Sequence, residues 1–254
     1  PEGKLTLNPS WKGVKTQDPV FKRDSLWTRE TAVKDQAEKE GFMVITAAAC
    51  IAVHFSYIVG QNLSEVLSFA DFQGMVERLD RPYQKLYNET VPAVHTPSIV
   101  HRVLQGIIKE HVSIKDFPLI LEALAESQEK TPERLIEHVR SRLGRYICAR
   151  YQNDQGQLPV VVLSSSWENT LHQALKPSEE TGMAGFSPET LQDFMAKANE
   201  MFDHNAHHKP VLLTSAPLRV HIKEIFQRFR PDVAVLSQAE IVPHIAVSVV
   251  GTLS

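Results

Sequence analysis

Cysteine is nearly missing from this chain, long apolar runs are missing altogether, and neither sign of charge dominates. Each shortage excludes something. Only Cys50 and Cys148 are present among 254 residues. They are far apart, inside apolar helical patterns, so no disulfide framework and no CxxC ligand pair exists. Both read as buried, reduced thiols of a cytosolic protein. The longest nearly apolar run, Val44–Phe55, already contains His54, whereas a membrane-spanning helix needs about 20 apolar residues. The formal net charge of -3 gives no global pull toward nucleic acid or an anionic membrane. The 11 glycines are scattered singly, so neither GxGxxG nor a Walker P-loop occurs, and HExxH is absent too. What remains is ordinary: 43% hydrophobic and 22% charged residues fit a soluble globular protein. The chain opens on Pro1 without a methionine or a signal pattern, and is expected to be a piece of a longer protein.

Local patterns divide the chain into three stretches. In the first, 1–95, "KLTLN" alternates like a short strand, and "NPSWKG" and "QDPVF" carry turn chemistry. Thr28 is expected to open a polar helix ending near Glu40, with Gly41 as its left-handed stop. "FMVI" reads as a short buried strand. A long, largely apolar helix follows from Ala47 to about Leu67, and further helices are expected over 69–79 and 82–90. The second stretch, 96–153, is helical. Ile99, Val103, Leu104, Ile107 and Ile108 fall on one face, and "HVS" breaks that helix. Ser113 with Asp116 resembles a capping box, opening a helix with Phe117, Ile120, Leu121 and Leu124 inward. "TPERLIEHVRSRLGRYICARY" reads as a third helix with Thr131 as cap. "NDQG" (153–156) is the expected linker. From 154 to 254, β-branched runs alternate with helices over 166–175, 188–204 and 218–229, the mark of an α/β layer. The last run follows its predecessor too closely for a helical crossover, so an antiparallel edge strand is expected. The fold class is therefore α/β with several subdomains: a mixed N-terminal part, a central helix-turn-helix-like part, and a C-terminal part on a small mixed sheet.

Few residues suggest chemistry. Asp203 with His207, and His204 with His208, are four apart and would share a helix face, but a zinc site needs a third or fourth ligand and none stands nearby in sequence. At a helix end, histidine also suits the negative dipole. "SSS" (164–166) follows a strand, yet lacks the GxSxG elbow, and Ser166 is more simply a cap. A helix-turn-helix DNA reader is the other option: Arg134, Arg140, Arg142, Arg145 and Arg150 lie on the third helix and would neutralise phosphates. The second helix, however, carries Glu122, Glu126 and Glu129, where base readers place basic or amide side chains. Residues Asp18, Phe21 and Trp27 lie on or near a loop expected beside the long apolar helix, as a core plug or an interaction dimple.

The stretch "RVLQGIIKEHVSIKDFPLILEALAE" resembles the signature of the export gate protein of type III secretion systems, flagellar and injectisome, in its cytoplasmic domain. The likeness continues through "LIEHVRSRLGRYICA", "LPVVVL", "PVLLTSAPLR" and "RFRPDVAVLSQAEI". Upstream, "GFMVITAAACIAVHF" and "DPVFKRDSLW" match the family's Gly-Tyr-x-Val-Val and Asp-Pro-x-Phe segments. "RFRP" and "SQAEI" look more flagellar than injectisome.

The resemblance implies an inner-membrane parent whose missing N-terminal half carries the membrane helices, with the first cytoplasmic subdomain truncated here. It implies a homo-oligomeric ring, nine-membered by resemblance, that docks secretion chaperone–substrate complexes, contacts other export apparatus proteins, and orders export. It implies no enzymatic activity, no cofactor, no metal and no nucleic acid. In the family, chaperones bind a hydrophobic dimple at the Asp-Pro-x-Phe loop, which carries over to Asp18 and Phe21. Val53 stands where the family has a dimple threonine, and Lys22-Arg23-Asp24 where it has Gly-Leu-Pro. The alternatives from the residues themselves are a helix-turn-helix regulator and a histidine-metal enzyme.

Overall fold

A computed structural model describes residues 7, 9–18, 23–174 and 187–254. It falls into two compact units, 1–67 and 68–254.

In the first unit, strands β1 (Val14–Gln17) and β2 (Asp24–Trp27) form an antiparallel hairpin, with Val14 opposite Trp27 and Gln17 opposite Asp24. Helix α1 (Thr31–Lys39) starts two residues later than expected, with Glu30 and not Thr28 at the cap position. The Thr28 hydroxyl instead accepts the Glu30 N–H at 3.1 Å. Gly41 takes the left-handed conformation at φ 84°, which glycine adopts without a Cβ penalty. Trp11, Val33 and Ala37 make a small core, with Leu7, Leu26, Phe42 and Val44 packed on it. The Trp11 and Phe42 rings meet edge to face at 5.3 Å. "FMVI" is irregular chain rather than a strand: Phe42 and Val44 are half-buried while Met43 and Ile45 are exposed. "KLTLN" lies outside the described residues apart from Leu7. Helix α2 (Ala47–Gln61) is capped by Thr46, whose hydroxyl accepts the Ala49 N–H at 3.2 Å, and α3 (Leu63–Val66) adds one turn.

The second unit opens with α4 (Phe69–Glu77), α5 (Arg81–Thr90), α6 (Pro97–Lys109) and α7 (Phe117–Glu126). Val100, Val103, Leu104 and Ile107 bury one face of α6, with Ile99 and Ile108 half-buried beside them. Phe117, Ile120, Leu121 and Leu124 are buried on α7, as their spacing requires. The cap of α7 is Asp116, which accepts the Leu119 N–H at 3.2 Å, and not Ser113, which accepts from Lys115. His111, at φ 57°, makes the break after α6. The expected third helix is two, α8 (Pro132–Arg142) and α9 (Gly144–Tyr151). At the break, a Cβ on Gly144 would overlap the backbone carbonyl of Glu240, so only glycine admits that approach. Thr131 holds the cap position of α8 without a side-chain hydrogen bond. Cys148 is buried, and Cys50 only half-buried.

The C-terminal part runs β3 (Gln157–Leu163), α10 (Ser165–Ala174), α11 (Pro188–His204), β4 (Val211–Thr214), α12 (Ala216–Phe229), β5 (Val235–Ser237) and β6 (Ala246–Leu253). The sheet order is β5-β4-β3-β6. Leu158, Val160, Val161, Val211 and Leu212 are fully buried in it, as strands covered on both faces are. Trp167, Phe194, Phe202 and Phe226 fill the helical side, with ring centroids 5.2–6.1 Å apart. Strand β6 is an edge strand but runs parallel to β3, so all pairings of this sheet are parallel. Residues 238–245 make the crossover through a 3-10 turn (Gln238–Glu240) instead of a helix. At about 3.3 Å per residue, that segment reaches past the three spacings of roughly 4.8 Å it must cross.

Candidate functional site

Of the residues expected to form a docking dimple, two are described. Asp18 is half-buried at the end of β1, and its N–H donates to the Arg23 carbonyl at 2.8 Å. Phe21 lies outside the described residues. Val53 is 42% exposed on α2. That helix is apolar on opposite faces: Ile51, Phe55 and Ile58 form one stripe and Val53 and Tyr57 another, at helical spacing. All five are exposed, Ile51 and Phe55 by 70% and 68%, and none of the described α2 side chains is buried. Trp27, Met43 and Ile45 add further exposed apolar area in the same unit. A helix apolar all round is built to be covered.

The metal-like cluster does not assemble. α11 ends at His204, and Ala206–His208 is a separate 3-10 turn, so the four-residue spacings do not share one helix. Asp203 accepts from Arg230 at 3.0 Å. Among the described residues, no three of His, Cys, Asp and Glu gather as ligands. The serine run is a cap, through Ser164 rather than Ser166: the Trp167 N–H reaches the Ser164 hydroxyl at 3.3 Å. Ser215 and His172 Nε2 stand 3.3 Å apart, a pair missed in the sequence. Among the described residues, no carboxylate bonds the other side of that imidazole.

The basic face expected on the third helix is largely used up internally. Arg134 pairs with Glu129 at 3.4 Å and Arg142 with Glu126 at 3.5 Å, so two of the three glutamates expected on the second helix face arginines of the same module. Arg140 is buried. It and Arg219 of α12 belong to a charge network no sequence pattern announced. Arg219, 1% exposed, donates to Glu110 Oε2 at 2.6 Å and Oε1 at 3.1 Å, and to Glu137 Oε2 at 2.6 Å and Oε1. Arg140 approaches Glu110 at 3.2 Å and Glu240 at 2.5 Å. The Glu240 contact is charge contact without a hydrogen-bond angle. Glu240 also accepts the Ser237 N–H at 2.6 Å.

The network joins the end of α6, α8, α12 and the turn after β5. Burial pushes the Glu110 carboxyl up, but the Arg219 hydrogen bonds and the charges of Arg140, Arg219 and Lys223 outweigh it, and the net shift is down. For Glu240, burial wins and the carboxyl is pushed up. Burial alone would lower the Arg219 guanidinium; its bonds to Glu137 and Glu110 hold it above its ordinary value. One signal could have found the two arginines. Arg219 sits between Leu218 and Ile222, and Arg140 beside Val139, on stripes otherwise buried.

The Caulobacter vibrioides flagellar biosynthesis protein FlhA is 33% identical over 243 residues, covering 94% of this chain and 35% of that protein. The Salmonella typhimurium FlhA is 32% identical over 246 residues, 93% of this chain and 35% of its own length. The chain thus spans about a third of the relatives it matches. Among solved structures, the Chlamydia pneumoniae CdsV and CdsO complex superposes with a TM-score of 0.74 at 25% identity, covering 91% of this chain and 68% of the other. The nonameric EscV cytosolic domain of a type III secretion system gives 0.72 at 25% identity, over 87% and 67%. The FHIPEP family pattern matches residues 2–246, and the chain belongs to that family.

Proposed function

We propose that this chain is the docking part of a flagellar-type protein export gate, which receives secretion chaperone–substrate complexes and orders their passage through a membrane channel. The observation that carries the reading is α2: its apolar side chains are exposed on opposite faces, and none that is described is buried. Such a surface gains about 25 cal/mol per Å² of apolar area when covered. Val53 and Tyr57 offer one stripe to an incoming aromatic or aliphatic anchor. Asp18, at the hairpin end of the same unit, supplies the polar contact that orients it, and Phe21 adds apolar contact.

The membership in the FHIPEP family and the FlhA relatives support the export role. The nonameric EscV domain supports a homo-oligomeric ring, which gives the second α2 stripe a place to be covered by a neighbouring copy. The CdsV–CdsO complex supports contact with another export apparatus protein. The parent protein is held in the bacterial inner membrane by segments outside this chain, and this part works on the cytoplasmic side by binding rather than catalysis. Cross-linking from a photoreactive residue placed at position 53, in cells assembling flagella, tests the reading. Adducts to secretion chaperones are expected. Adducts to neighbouring copies alone would assign this stripe to ring assembly and remove the docking site.

A further inference from the structure

The charge network leaves cations over. A cleft of about 150 Å³ opens beside it, lined by Glu110, His111, Arg140, Arg150, Tyr151 and Lys223, with Val112, Ile147 and Val235 as an apolar floor. Around it stand the positive charges of Arg140, Arg150, Arg219 and Lys223 against the negative charges of Glu110, Glu137 and Glu240. Asp232 also lines the cleft, but its side chain is 64% exposed and shares Arg230 with Asp203, at 3.1 Å and 3.0 Å. The three glutamates are engaged by Arg140 and Arg219. Among the described residues, no carboxylate lies within ion-pair distance of Lys223 or Arg150. Arg150 is held in place by donating to the His111 carbonyl and by lying 5.8 Å over the Tyr151 ring.

Two cations and an imidazole thus face a cleft whose Glu110 acts on Lys223 only at longer range than an ion pair. The two neighbouring cations add to burial in pushing the His111 imidazole below its ordinary value. Burial also pushes the Lys223 ammonium down, and Glu110 offsets this only in part against Arg140 and Arg219. We propose that this cleft binds a small tetrahedral oxyanion of the phosphate class, held between Lys223 and Arg150 with His111 as a third donor. By this measure a site of roughly 10–15 Å³ already holds one water, so the space admits such an anion with some hydration. Lys223 supplies a point charge and Arg150 a fork of donors, the pair that phosphate recognition uses. The Glu110 carboxylate bounds the site and keeps the anion on the Lys223–Arg150 side. The inference is independent of the docking role.

The test follows the His111 imidazole by NMR in the full chain, assigned with His111→Gln, while inorganic phosphate replaces chloride at constant ionic strength. An anion beside the ring stabilises its charged form, so phosphate raises the His111 midpoint by roughly half a pH unit or more. Half-saturation moves at least about tenfold higher in Lys223→Met and in Arg150→Gln, as for loss of one charge-assisted contact. Lys223→Arg retains binding. Melting curves identify which variants are folded, and either folded variant decides. Equal midpoints in phosphate and chloride would overturn the proposal. So would unchanged phosphate binding in a folded Lys223→Met or Arg150→Gln.

Discussion

Replacing Arg219 by methionine is the sharpest perturbation of the second unit. The side chain is 1% exposed and engages both oxygens of Glu110 and both of Glu137, which come from helices α6 and α8. Methionine matches much of the aliphatic length, so little packing is lost, but two largely desolvated carboxylates lose their main partner. Breaking a buried pair by removing one member costs about 3–5 kcal/mol, chiefly because the remaining charge is stranded. For a unit of this size that lowers the melting temperature by roughly 10 °C. Urea unfolding at pH 7 reads the loss directly.

The deficit also depends on pH with a fixed sign. The folded carboxyl of Glu110 lies below its ordinary value in the native network. Its contribution is fully present above the unfolded value, about 4.3, and fades as pH falls through the lower folded one. In Arg219→Met only Arg140 and Lys223 remain to oppose burial, so the Glu110 carboxyl moves up, and the gap between the two proteins begins to narrow above the unfolded value of about 4.3 and goes on narrowing as pH falls through the lowered folded value of the parent. A loss under about 1 kcal/mol at pH 7, the level of an exposed pair, would refute the buried network. A larger loss whose size ignored acidification would refute the role of Glu110 in it.

Gly144→Ala drives a methyl into the backbone carbonyl of Glu240. Overpacking of that kind costs about 1–3 kcal/mol, read as a lower urea midpoint with an unchanged slope. Asp116→Ala removes the cap of α7 and the acceptor of the Tyr146 hydroxyl at 2.7 Å. The expected loss is about 1–2 kcal/mol, typical of a cap, and Tyr146→Phe, which leaves the cap intact, should reproduce only the smaller part of it.

The helical core was legible because burial imposes a period. Val103, Leu104 and Ile107 on α6 and Phe117, Ile120, Leu121 and Leu124 on α7 lie where a 3.6-residue repeat puts an inward face. The hairpin was not legible. "VKTQ" and "DSLW" are short and mostly exposed, so no alternation marks them. The direction of β6 was misread because a short connection was equated with an antiparallel return. The chain instead crosses under Gly144, and that close approach depends on a glycine 96 positions before Glu240 in sequence. The charge network joins residues up to 109 positions apart, and no local pattern encodes that. Asp18 stood out as a loop carboxylate beside aromatics, while its docking role and Val53 came from family resemblance alone. The apolarity of α2 was visible in the sequence, but that its faces are exposed required the structure.

Calorimetric titration of the chain with a purified flagellar chaperone–substrate complex tests the docking account most directly, with Phe21→Ala and Val53→Asp alongside. The account predicts saturable binding by the parent chain, lost or weakened at least about tenfold in both variants, as for removal of an anchor contact, while circular dichroism shows both folded. Binding that survives in both folded variants, or no binding by the folded parent chain, would contradict it.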